Sequence, residues 1–121
     1  MGDDSVPVED LRNRIREFVR ERDWEQFHKP KDIAMSIGIE AGELLELFQW
    51  KTDNEIEEQL QDPSYKERLE DELADVVTFC LALANATGLD ISTILENKLK
   101  KNHEKYPIEK SRGRATKYTE L

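Results

Sequence analysis

Glu40 and Glu43 stand three residues apart, and Glu72 and Asp75 repeat that spacing after 28 intervening residues. At roughly 100° per residue, positions three apart lie on one face of a helix. With Glu40 as zero, Leu47 falls at about −20°, Ile33 at about +20°, Leu44 at about +40° and Glu43 at about −60°. Glu40 is therefore inside the apolar arc and Glu43 on its edge. From Glu72, Phe79 lies at about −20°, Tyr65 and Leu83 at about +20°, Val76 at about +40° and Asp75 at about −60°. Ionised carboxylates facing a core cost several kcal/mol, on the order of a buried uncompensated charge, unless a cation or hydrogen bonds offset them. Two such pairs predict convergence on a metal. Four carboxylates suit Mg²⁺, a hard cation that takes oxygen ligands, with Mn²⁺ as a substitute. No Cys/His cluster has zinc spacing, and neither His28 nor His103 offers the Glu-x-x-His of a di-iron bundle. The same phase test places Glu46 and Asp71 at the periphery. Taken alone, a single E-x-x-E is common in surface helices, and a pair of salt-bridged acids is the plainer explanation.

The elements that must carry these residues are all helical. A first helix is expected from about Pro7 to about Trp24, with Leu11, Ile15, Phe18 and Val19 on one face. Pro30 opens a second, running to about Trp50. Thr52 followed by Glu55 resembles a capping box and starts a short third helix to about Gln61. Asp62 and Pro63 start a fourth, which ends at Gly88. Asp90 or Ser92 caps a fifth, ending near Lys105 before Pro107. Residues 1–6 are expected to be disordered and 108–121 to form an extended tail. No strand alternation appears. The expectation is an all-α bundle of four to five helices, forming a single domain over residues 1–121.

Composition narrows the function. Apolar and charged residues each make up 37% of the chain, and the net charge is −9. From Lys98 onward there are eight Lys or Arg against three Glu, +5, so residues 1–97 carry −14. That acidity argues against duplex DNA as a partner. The apolar run Val76–Ala84 is too short to span a membrane. The single Cys80 excludes an intrachain disulfide, and no secretory signal is visible, so a reducing, cytoplasmic setting is expected. So much charge on short helices favours a core completed by self-association.

These residues carry a resemblance. E-x-x-E followed by E-x-x-D on a later helix is similar to the signature of the all-α MazG-like nucleoside triphosphate pyrophosphohydrolases. The segments Arg22-Asp23-Trp24-Glu25-Gln26-Phe27-His28, Gly42-Glu43-Leu44, Phe48-Gln49-Trp50-Lys51 and Lys117-Tyr118-Thr119-Glu120-Leu121 resemble the dCTP pyrophosphatase branch. The resemblance implies hydrolysis of a nucleoside triphosphate between its α and β phosphates, giving the monophosphate and pyrophosphate. Glu40, Glu43, Glu72 and Asp75 would hold the magnesium. Glu43 is the preferred base, with Glu40 beside it.

The resemblance also implies roles for residues that spacing alone leaves open. Lys98, Asn102 and Tyr106 share a face and match a K-x-x-x-N-x-x-x-Y-P segment of the family, so Lys98 and Asn102 would contact phosphates or sugar. By themselves they are equally a solvated basic face near a helix C-terminus. Trp24 and Trp50, each near a helix end, would form a base pocket with Phe79, which stands where the branch has tyrosine. Stacking of this kind is worth ~1–3 kcal/mol per base in single-stranded complexes. His28 is either a pocket residue or a connector. The expected function is Mg²⁺-dependent cleavage of dCTP or 5-modified dCTP by a homo-oligomer, a tetramer by analogy with the family. A broader or dUTP-preferring pyrophosphatase and a non-catalytic helical interaction module are the alternatives.

Overall fold

The computed structural model describes residues 2–121; Met1, the first residue of the segment expected to be disordered, lies outside them. Residues 2–6 form a turn, in which the Gly2 carbonyl accepts from the Ser5 and Val6 amides at 2.9 and 3.0 Å. Six helices and a short 3₁₀ turn follow, with no strand among the described residues. They are α1 (Val8–Glu21), α2 (Pro30–Glu46), α3 (Asp53–Gln59), α4 (Pro63–Thr87), α5 (Ile91–Lys105), α6 (Ile108–Ser111) and the turn Tyr118–Glu120. The region read as an extended tail thus holds α6 and that turn. The chain divides into two compact units, one ending at Gly88 and one spanning Leu89–Leu121. No single helix among the described residues is long and apolar enough to cross a membrane.

Helix ends follow the sequence wherever a side chain makes the cap. Thr52 accepts from the Glu55 amide at 3.2 Å, Asp62 from Ser64 at 3.1 Å and Asp90 from Thr93 at 3.1 Å. Each removes one orphan amide of a first turn. Gly88 closes α4 at φ 70°, a left-handed conformation that glycine adopts without steric cost.

Two helices stop sooner than their apolar period suggests. After α1, Asp23 turns left-handed at φ 55°. The Asp23 amide bonds the Arg20 carbonyl and the Trp24 amide bonds the Val19 carbonyl, each at 3.0 Å, which is the Schellman pattern. After α2, the Leu47 and Phe48 amides bond carbonyls only three residues back, tightening the chain until Trp50 turns left-handed at φ 66°.

In the first unit α4 is the central element, packing most extensively on α2 and also on α1. Its core holds Val19, Ile33, Leu47, Tyr65, Leu81, Ala82 and Ala84. Two polar ties fix the helices in register. The buried Tyr65 hydroxyl donates to the Leu47 carbonyl at 2.7 Å, joining the start of α4 to the end of α2. Asn85 of α4 accepts from Arg12 and Arg16 of α1, both at 3.0 Å, and donates to the Arg12 carbonyl at 3.1 Å.

In the second unit no residue of α5 is buried. Tyr118 packs edge-on against Tyr106 with ring centroids 5.9 Å apart. The Lys105 ammonium sits 4.8 Å from the Tyr118 centroid, a cation–π contact that holds the 3₁₀ turn to the end of α5.

Candidate metal centre and adjoining cavity

Packing of α2 on α4 brings three carboxylates together. Oxygens of Glu40, Glu43 and Glu72 all lie within 4.8 Å of one another. Glu40 and Glu72 are half-buried, and each has one oxygen, Oε2, sealed from solvent with no hydrogen-bond partner. Glu43 is exposed and its carboxylate lies beside both. Desolvation pushes the Glu40 and Glu72 carboxyls above their ordinary value. Contact with Glu43 raises both further, and the charge of Asp75 adds to each. These carboxylates are held together by the fold against the electrostatics that raise Glu40 and Glu72.

The donor set fits a hard divalent cation. It offers only carboxylate oxygens, two of them desolvated and unsatisfied, and its exposed side leaves room for waters. Asp75, expected as a fourth member, stands outside the 4.8 Å set but bears on Glu40 and Glu72 through its charge. Glu46 and Asp71 are exposed and lie outside the cluster.

Asp75 also faces a cavity of about 420 Å³ whose walls include Trp24, His28, Phe79, Phe18 and Ile15. Trp24, Phe79 and His28, which the sequence placed in a base pocket, therefore share one space. Trp24 is 43% exposed and packs edge-on against Phe18, with centroids 5.8 Å apart. The Arg22 guanidinium covers the Phe18 ring at 3.7 Å. Trp50 does not line this cavity and is 91% exposed. Lys98 and Asn102 lie on α5 in the second unit. The Lys98 ammonium is pushed below its ordinary pKa, chiefly by Lys105 and less by Lys101, so α5 carries mutually repelling cations.

Sequence reasoning missed Phe18 as a site residue, placing it only on the apolar face of the first helix; it is 48% exposed beneath Trp24. A signal existed. In a Schellman ending the residue two past the cap meets the last apolar residues of the helix, and Trp24 and Phe18 hold those positions.

Paired carboxylates on two packed helices beside an aromatic cavity make a helical architecture suited to hold a cation next to a small-molecule ligand. The chain belongs to the MazG-like family, matching it over residues 35–121. It is 43% identical over 114 residues to dCTP pyrophosphatase 1 of Mus musculus, covering 94% of this chain and 67% of that protein. The Homo sapiens dCTP pyrophosphatase 1 is 42% identical over the same length, with the same coverage. A solved pyrophosphatase from Archaeoglobus fulgidus superposes with a TM-score of 0.76 at 39% identity, covering 83% of this chain and 92% of its own.

Proposed function

We propose that this chain hydrolyses dCTP or 5-modified dCTP between the α and β phosphates, in a Mg²⁺-dependent reaction giving dCMP and pyrophosphate. It is a nucleoside triphosphate pyrophosphatase, as its family and its relatives at 42–43% identity support. The observation carrying the substrate reading is the position of Asp75. That side chain bears on the acidic cluster and also lines the aromatic cavity, so phosphates at the acids would leave a base within reach of Trp24 and Phe79.

Glu40, Glu43 and Glu72 would hold the cation, with Asp75 completing the acidic surface; Mn²⁺ would substitute. When bound, the cation supplies charge neutralisation at the triphosphate and lowers the pKa of a coordinated water. Glu43, the exposed member, takes the proton of the attacking water, with Glu40 as its neighbour in the same cluster. Trp24 and Phe79 stack on the base, His28 borders it and Trp50 covers it from a neighbouring subunit; Lys98 and Asn102, on α5 of the second unit, offer groups suited to phosphate or sugar. Exposed Met35, Ile39 and Leu45 on α2, Leu73 and Val77 on α4, and Leu95 and Leu99 on α5 support assembly into a homotetramer. The role is cleansing of the cytoplasmic nucleotide pool, with no nucleic-acid or membrane partner.

The test is incubation with each dNTP and with 5-methyl-dCTP, in Mg²⁺ or EDTA, with monophosphate and pyrophosphate measured. Mg²⁺-dependent turnover is expected, fastest with the cytosine nucleotides. Preference for dUTP would move the assignment within the class, and no turnover of any substrate would overturn it.

A further inference from the structure

A second cavity, also about 420 Å³, shares the walls made by Ile15, Val19, His28 and Ala82 but is lined by more cations than the aromatic one. Arg16, Arg20 and Lys29 line it, with Glu25 the one carboxylate among its lining residues. The cleft is therefore net cationic within a segment that carries −14 over residues 1–97.

Arg16 is its notable member. Its Nη1 donates to Asn13 Oδ1 at 2.7 Å and its Nη2 to Asn85 Oδ1 at 3.0 Å. Both partners are neutral amides, and none of the ion pairs among the described residues includes Arg16 or Lys29. A guanidinium offers five donors in a rigid fork, so Arg16 is oriented yet keeps donors and its whole charge for something else. Asn85 is fixed in turn, because its oxygen also accepts from Arg12 and its amide donates to the Arg12 carbonyl. Arg20 is shared between Glu17 and Glu25 at 3.5 Å each, in exposed pairs that yield readily to a better anion.

We infer that this cleft is a binding site for a phosphate-class oxyanion, with Arg16 as the oriented donor and Arg20 and Lys29 flanking it. Forked guanidinium donors match the oxygens of a phosphate, and two or more cations facing one cleft match a polyanion. The site needs neither the acidic cluster nor a metal. His28 belongs to the walls of both cavities, so occupancy here would register in the aromatic one. That consequence rests on the function proposed above, whereas the binding does not.

The test uses inorganic pyrophosphate in EDTA with the full-length chain, so that no metal can recruit the anion to the acids. Titration calorimetry gives the affinity, and amide shifts of ¹⁵N-labelled protein give the location. Saturable binding is expected, weakening with ionic strength, with shifts centred on Arg16, Arg20 and Lys29. Arg16→Gln should weaken binding at least about tenfold, the equivalent of one charge-assisted contact. Glu40→Gln should leave it unchanged. Because Arg16→Gln also disturbs the Asn85 network, Lys29→Gln provides a second measurement at an exposed residue outside that network, and a severalfold loss is expected. Absence of saturable binding, native affinity in both cleft variants, or shifts confined to the acidic cluster or to Lys98 and Asn102 would overturn the assignment.

Discussion

Replacing Glu40 by Gln separates the cost of the acidic cluster from its use. Without metal, Glu40 carries a folded pKa raised above 4.5 by desolvation first and then by Glu43, Asp75 and Glu72. A raised folded pKa contributes stability that is fully present below the unfolded value and is lost as pH rises through the folded one. Metal-free protein therefore loses the Glu40 contribution from about pH 4.5 upward, while Glu40→Gln has no such group to ionise. The Tm of the variant minus that of the native chain should grow with pH in EDTA. Mg²⁺ should reverse the order. At a hundred times its dissociation constant, a cation that binds only the folded state adds about 2.7 kcal/mol. For 121 residues, interpolating between size classes, each kcal/mol is worth roughly 3–5 °C, so the native chain should gain roughly 8–13 °C. If losing one carboxylate weakens the cation about tenfold, the same Mg²⁺ adds only about 1.4 kcal/mol, or roughly 4–7 °C. Thermal melts by circular dichroism across pH, in EDTA and in Mg²⁺, measure all four numbers. A Tm difference independent of pH, or an equal Mg²⁺ gain in both proteins, would refute the reasoning.

Other perturbations probe the scaffold and the cavity. Tyr65→Phe leaves the Leu47 carbonyl without its buried donor and should cost about 1–3 kcal/mol in urea unfolding. Gly88→Ala forces a Cβ into a left-handed position at φ 70° and should cost about 1–2 kcal/mol by the same measurement; a neutral result would mean the α4 ending relaxes. Trp24→Ala should raise KM for dCTP by roughly five- to a hundredfold, the equivalent of one lost stack, with a smaller change in kcat. Glu46→Gln, which alters an exposed acid outside the cluster, should leave both the Mg²⁺-dependent Tm gain and turnover unchanged.

Helix ends were legible where a side chain makes the cap, as at Thr52, Asp62 and Asp90, and where glycine takes the left-handed position, as at Gly88. The ends of α1 and α2 were not, because both depend on a non-glycine residue entering the left-handed region, Asp23 in one case and Trp50 in the other. Asp has only a modest preference for such a turn and Trp has none, so packing and the backbone bonds around it decide where it falls. The same turns decide the tryptophans. The one after α1 folds Trp24 back on Phe18 and into the cavity, while the one after α2 leaves Trp50 in solvent within a single chain.

The carboxylates show where phase stops being informative. Glu40 and Glu72 were placed near the core by their angle against the apolar arc, and both are half-buried with one sealed oxygen. Glu43 and Asp75 have the same phase, about −60° from their partners, so nothing in the helical period distinguishes them. Side-chain length does. Glutamate reaches one methylene further than aspartate, and the Glu43 oxygens join the cluster while the shorter Asp75 stays at the cavity wall, acting on Glu40 and Glu72 through charge. Asp75→Glu should therefore draw that carboxylate toward the cluster and away from the aromatic cavity. Apparent Mg²⁺ affinity, read from the Tm gain, should hold or rise while KM for the nucleotide rises. An unchanged KM would show that the link between acids and cavity does not run through Asp75.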